Sequence, residues 1–215
     1  MTPEKITGFN DKIVIIAAEP GMGKSTVLTH LAVKTKEINP SSLWIVRVNL
    51  LDHQGILRKL KENEIDINEV EAVKFIYRSA GFKLFEKKEQ QNDEDRNQMI
   101  DKVLSLIGID EEGKIHLKDS EEKVKNLNLL EVELFNHFYN QRKIALMFDG
   151  FDEISPDYKD KVIKLLETVK STKKVEKLLI TTRRYPYIQS ELEDKLNIFS
   201  YAIEDFSKEN QKKSF

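Results

Sequence analysis

The 215-residue chain contains no cysteine, which excludes disulfides and thiolate metal sites and fits a reducing compartment. It also lacks a surplus of charge of either sign, with 35 Lys and Arg against 37 Asp and Glu. Neither a nucleic acid nor an anionic membrane is therefore expected as a partner through bulk electrostatics, and any charged ligand has to be captured locally. No apolar run approaches the ~20 residues of a membrane-spanning helix. Met1-Thr2-Pro3-Glu4-Lys5 has none of the apolar character of a secretory signal, so the expectation is a soluble, cytoplasmic protein. His30, His53, His116 and His137 do not fall at the spacing of a metal site, and no solenoid repeat is visible.

What is present begins at Lys12. At this length about 70% of the unfolded surface can be buried, enough for one α/β domain of generous size. Ile13-Val14-Ile15-Ile16-Ala17 is a short uninterrupted apolar run, the signature of a strand buried on both faces of a parallel sheet. It gives way to Ala18-Glu19-Pro20-Gly21-Met22-Gly23-Lys24-Ser25-Thr26. From Lys24 onward Val27, Leu28, Leu31 and Ala32 recur at helical spacing. Strand, glycine loop and helix in this order make a phosphate-binding loop. Gly21 and Gly23 let backbone N–H groups approach phosphate oxygens closely, and the helix adds its positive N-terminal end. Lys24 is expected to reach the β- and γ-phosphates of a nucleoside triphosphate, and Ser25 to place its hydroxyl on Mg²⁺.

Further strands are expected at Leu43–Leu50, Ile144–Phe148, Lys177–Thr182 and Ile198–Ile203. Between the second and third, from about 52 to 142, lies a charged, helical insertion. Helices are read there at Gly55–Asn63, Asn68–Arg78 and Arg96–Leu106, and the mixed-sign run from Glu86 to Asp95 reads as a solvated face or loop. Leu129–Tyr139 places Leu130, Leu134 and Phe138 at helical spacing, with Val132 and Phe135 alongside, as a stripe for the sheet. His137 and Trp44 read as structural. Ser155 and Pro156 resemble the N-cap and first position of a helix to about Ser171, with Val162, Leu165, Leu166 and Val169 inward. A short helix is expected at Ser190–Leu196. The series gives a three-layer α/β sandwich, a five-stranded mainly parallel sheet with helices on both faces.

Ligands of such sheets gather beyond the carboxyl ends of the strands. Asp149, at the end of the third strand, is placed to complete a Mg²⁺ shell with Ser25. Asp152 and Glu153 follow closely; either can orient or deprotonate water, though acids are also favoured there by a helix N-terminus. Arg183 ends the fourth strand, where its planar donors suit a γ-phosphate.

The combination resembles a known family. AEPGMGKST at Ala18–Thr26, IALMFDGFDEI at Ile144–Ile154 and LLITTR at Leu178–Arg183 are similar to the Walker A, extended Walker B and sensor 1 segments of the NACHT domain, in the STAND class of P-loop NTPases. The small residue after the Walker B aspartate, Gly150, followed by the acids Asp152 and Glu153, carries the likeness. Asn49–His53 and Ile203–Gln211 resemble NACHT segments less specifically. The resemblance implies binding of ATP or GTP with Mg²⁺, slow hydrolysis, and a nucleotide-controlled switch of self-association in signalling. It implies Lys24 and Ser25 as Walker A ligands, Asp149 as the Walker B ligand, Asp152 and Glu153 as additional acids and Arg183 as sensor. The family's winged-helix and helical regulatory regions are not in this sequence, so the expectation is one NACHT-like domain over 1–215, a fragment of a larger NTPase. No Asn-Lys-x-Asp segment is present to read guanine, which puts ATP ahead of GTP. A general AAA+-type ATPase and a nucleotide-binding interaction module without hydrolysis are the alternatives.

Overall fold

The structure is a computed structural model, which describes residues 11–38, 43–80, 93–118, 129–154 and 156–203. In chain order its elements are β1 (Ile13–Ala18), α1 (Lys24–Ile38) and β2 (Trp44–Asn49), then a 3-10 turn at Leu50–His53. Next come α2 (Gln54–Glu62), α3 (Glu69–Ser79), α4 (Asp93–Leu106), β3 (Ile107–Ile109), β4 (Ile115–Leu117) and α5 (Leu129–Asn140). The last part holds β5 (Ile144–Asp149), α6 (Phe151–Ile154), α7 (Lys159–Thr172), β6 (Val175–Arg183), α8 (Pro186–Leu196) and β7 (Ser200–Ala202).

The main sheet has the order β2-β5-β6-β1-β7, and every neighbouring pair is parallel. The chain travels from β1 to the far edge at β2, then returns through β5 and β6 and passes β1 to reach β7. With right-handed crossovers, that single reversal puts α1 on one face and the later helices on the other. The core divides accordingly. Val14, Ile16, Met147 and Leu179 meet Leu28 and Leu31 of α1. Ile15, Val46, Val48, Leu146, Phe148 and Ile180 point the opposite way, toward α3, α5, α7 and α8. This alternation within continuous apolar strands is what two covered faces require.

The described part of the insertion shares the core of the sheet. Leu57, Phe75, Ile76, Val103 and Ile115 join the same core as the sheet, and the Phe75 ring stacks on Phe148 at 6.4 Å. Asn68 caps α3 by accepting the Glu71 N–H at 3.0 Å. An antiparallel hairpin, β3 with β4, also lies within the insertion, where the sequence reading placed only helices. Its strands are three residues each, too short for period-two alternation to register. Of the polar run Glu86–Asp95, only 93–95 fall within the described residues, at the start of α4.

Two helix readings need correction. The helix read from Ser155 and Pro156 starts at Lys159; Pro156 lies in a turn after α6, and Ser155 lies outside the described residues. Proline has no N–H to extend α6, and the Tyr158 N–H instead reaches back to Ile154 O at 3.3 Å. On α5 the face turned inward is Val132, Phe135 and Tyr139. Leu134 and Phe138 sit at its margin, and the Leu130 side chain lies outside the described residues. Trp44 packs edge-on against both Phe135 and Phe138. His137 is exposed, its ring edge-on to Phe138. The inward set of α7, Val162, Leu165, Leu166 and Val169, is buried as read.

Candidate functional site

The carboxyl ends of β1, β6 and β5 lie side by side. Ala18 is paired in register with Arg183, and Phe148 with Ile180. Beyond β1 the chain turns through Glu19-Pro20-Gly21-Met22-Gly23. Gly21 and Gly23 have φ of 79° and 78°, in the left-handed region that a Cβ disfavours. Ala18 is the fully buried last residue of the strand and takes no such conformation, so alanine suffices there. Glu19 and Pro20 are exposed, while Met22 tucks against the α1-side core. The Gly23 carbonyl accepts the Val27 N–H at 2.8 Å, which starts α1. Lys24 Nζ lies 3.4 Å from Ala18 O, folded back over the turn. Ser25 and Thr26 are exposed on the first turn of the helix.

Asp149 ends β5 and is 8% exposed. Its Oδ1 accepts the Thr181 hydroxyl at 2.6 Å, and its Oδ2 accepts Arg47 Nη2 at 2.7 Å. Ser25 borders the same cavity as Asp149. Burial pushes the Asp149 carboxyl up, and its polar neighbours Thr181, Arg47 and Ser25 overcome that, leaving it below the usual carboxylate value. It is therefore a carboxylate at neutral pH. Gly150 turns the chain away with φ of 79°, donating its N–H to Thr181 Oγ1 at 3.2 Å.

The two acids that follow have different surroundings. Asp152 has a side chain only 2% exposed, and both its oxygens are engaged by Arg183, through the backbone N–H at 3.0 Å and Nε at 2.7 Å. Glu153 is exposed and faces a cavity of about 720 Å³. Ser25, Arg47, Asn49, His53, Arg78, Ser79, Asp149 and Gly150 also line that cavity. Ser25, Asp149 and Glu153 are thus brought together, while Arg183 is tethered outside the lining and Lys24 stays over the loop.

Sequence reasoning missed Arg47 and Thr181. Arg47 left a trace as the single charge within the strand Trp44-Ile45-Val46-Arg47-Val48; Thr181 left none, since threonine is ordinary in a strand. Among the described residues no group of three or more His, Cys, Asp or Glu converges as a ready metal cage. Ser25 and Asp149 offer two hard oxygens, which suits a cation that keeps waters and takes phosphate oxygens as its remaining ligands. No described helix is long and apolar enough to cross a membrane. No protein-family model matches the chain, and no curated protein matches it either.

Proposed function

We propose that this chain binds a nucleoside triphosphate, ATP ahead of GTP, together with Mg²⁺, hydrolyses it slowly, and uses it as a NACHT-like conformational switch in a cytoplasmic signalling protein. One observation carries the reading. A turn with two left-handed glycines opens α1, and the first turn of that helix places Ser25 on the same cavity as the buried carboxylate of Asp149, with Arg47 bonded to both residues. Phosphate oxygens suit the backbone N–H groups of Gly21 and Gly23 and the α1 terminus, and Lys24 is free to exchange Ala18 O for them. Ser25 and Asp149 would hold Mg²⁺, which when bound supplies charge neutralisation at the phosphoryl oxygens. Glu153 is the acid with access to a water in the cavity, and Asp152 positions Arg183. The insertion packs into the common core, in keeping with a single P-loop domain.

Lys24→Ala is expected to abolish binding of labelled nucleotide; equal affinity in variant and parent would end the proposal. Light scattering without nucleotide, with diphosphate and with a non-hydrolysable triphosphate tests the switch, which requires a change of mass only in the last. A second reading, a nucleotide-binding interaction module without turnover, gains support from Asp152, whose oxygens are both engaged and which leaves Glu153 alone to act on water. Glu153→Gln separates the two: under the hydrolytic reading it retains binding and loses single-turnover hydrolysis.

A further inference from the structure

Arg47 stands on β2, on the face covered by α1, opposite in direction to its buried neighbours Val46 and Val48. Its guanidinium spans three groups. Nη1 donates to Thr29 Oγ1 at 2.6 Å, and Nη2 to Ser25 O at 3.3 Å and to Asp149 Oδ2 at 2.7 Å. With Thr181 on Oδ1, both oxygens of the carboxylate are engaged, one of them by a permanent positive charge. The two residues assigned above to the metal, Ser25 and Asp149, are thus among the three that this guanidinium already holds, Ser25 through its backbone carbonyl.

A divalent cation on Asp149 would sit beside that guanidinium, and like charges at contact distance repel strongly where water is partly excluded. The arginine therefore has to leave Oδ2, and it has room to do so, since its side chain is 37% exposed and borders the cavity. A terminal phosphate arriving at Ser25 offers a better acceptor, since phosphate oxygens match the planar fork. We propose that Arg47 is a built-in cation that holds the Asp149 carboxylate in the empty protein and transfers to the terminal phosphate oxygens when nucleotide and metal bind. Metal binding is then coupled to the triphosphate, because the triphosphate removes the competing charge. This rests on the nucleotide reading.

The test uses Mn²⁺ as the probe, its free concentration followed by electron paramagnetic resonance on the full chain without nucleotide, alongside labelled ATP binding in EDTA. Arg47→Met is expected to bind Mn²⁺ about fivefold or more tightly than the parent, a typical size for coupling between sites, and to bind ATP in EDTA more weakly by a similar factor. Should the methionine variant not fold, Arg47→Gln replaces it with the same expected directions. Arg47→Lys keeps the charge and is expected to leave Mn²⁺ affinity at the parent value. Unchanged or weaker Mn²⁺ binding in the neutral variant overturns the proposal, as does a lysine variant that binds Mn²⁺ like the neutral one. A parent that binds no nucleotide, with Lys24→Ala indistinguishable from it, locates the failure in the nucleotide reading, and the transfer falls with it.

Discussion

Asp152 holds Arg183 at two points, accepting its backbone N–H on Oδ1 and its Nε on Oδ2, from a side chain 2% exposed. One bond fixes where β6 ends and the other fixes the direction of the guanidinium. The acid after the Gly150 turn is therefore a support for the arginine at the tip of the neighbouring strand. Asp152→Asn keeps the shape and removes the charge, and is expected to cost about 2 kcal/mol, the range of a hydrogen bond to a charged group. Urea unfolding reads this, and in a cycle with Arg183→Met the two losses are expected to be less than additive. Additive losses would mean the pair is not coupled.

Thr181 serves two neighbours with one hydroxyl, donating to Asp149 Oδ1 and accepting from the Gly150 N–H. Thr181→Val preserves the shape and leaves both partners unsatisfied in a buried place, at an expected cost of about 2 kcal/mol or more. Thr181→Ser is expected to recover most of it. A valine variant as stable as the parent in urea would remove the hydroxyl from the account.

Gly150 has φ of 79°, and a Cβ there would lie 3.0 Å from Glu153 Oε2. The carboxylate end can swing aside, so the lasting penalty is the backbone, about 1–2 kcal/mol for an L-residue in the left-handed region. Gly150→Ala is expected to lower the melting temperature and, under the proposed hydrolytic reading in which Glu153 acts on water, to slow single-turnover hydrolysis more than it weakens nucleotide binding. Equal losses in both would argue that the turn and Glu153 act on binding alone.

His53 packs beside Phe75, with ring centroids 5.3 Å apart. Burial lowers its pKa, Asp52 raises it and Arg78 lowers it, and the net shift is downward from the ordinary 6.5. Below about pH 6.5 the unfolded chain takes up a proton that the folded chain resists, so stability falls with pH in that window. Urea midpoints at pH 7.5 and 5.5 are expected to differ more for the parent than for His53→Phe. Parallel pH dependences would show that other groups dominate the acid side.

The strands were readable because a sheet covered on both faces writes itself as unbroken apolar runs: Ile13–Ala18 and Ile144–Asp149 lie within a residue of where the sequence put them. Ser25, Asp149 and Glu153 were readable because local spacing places them at strand and helix ends. The strand order was not readable, since nothing in Val175–Arg183 announces that β6 lies between β1 and β5. Arg47 and Thr181 escaped for a related reason. Their partner Asp149 is 102 and 32 residues away, and only the register of three parallel strands brings them to it. Pro156 misled because Ser-Pro marks a turn as readily as a helix start, and α6 had already used the preceding residues.

Two steps of about 4.8 Å separate β1 from β5, so a gap of roughly 10 Å between the glycine turn and the acid tip is set by interstrand bonding alone. The long excursion between 50 and 143 does not set that spacing. Sequence drift, insertion or deletion along its outer surface can reshape the molecule's exterior while the ruler at its centre keeps its length.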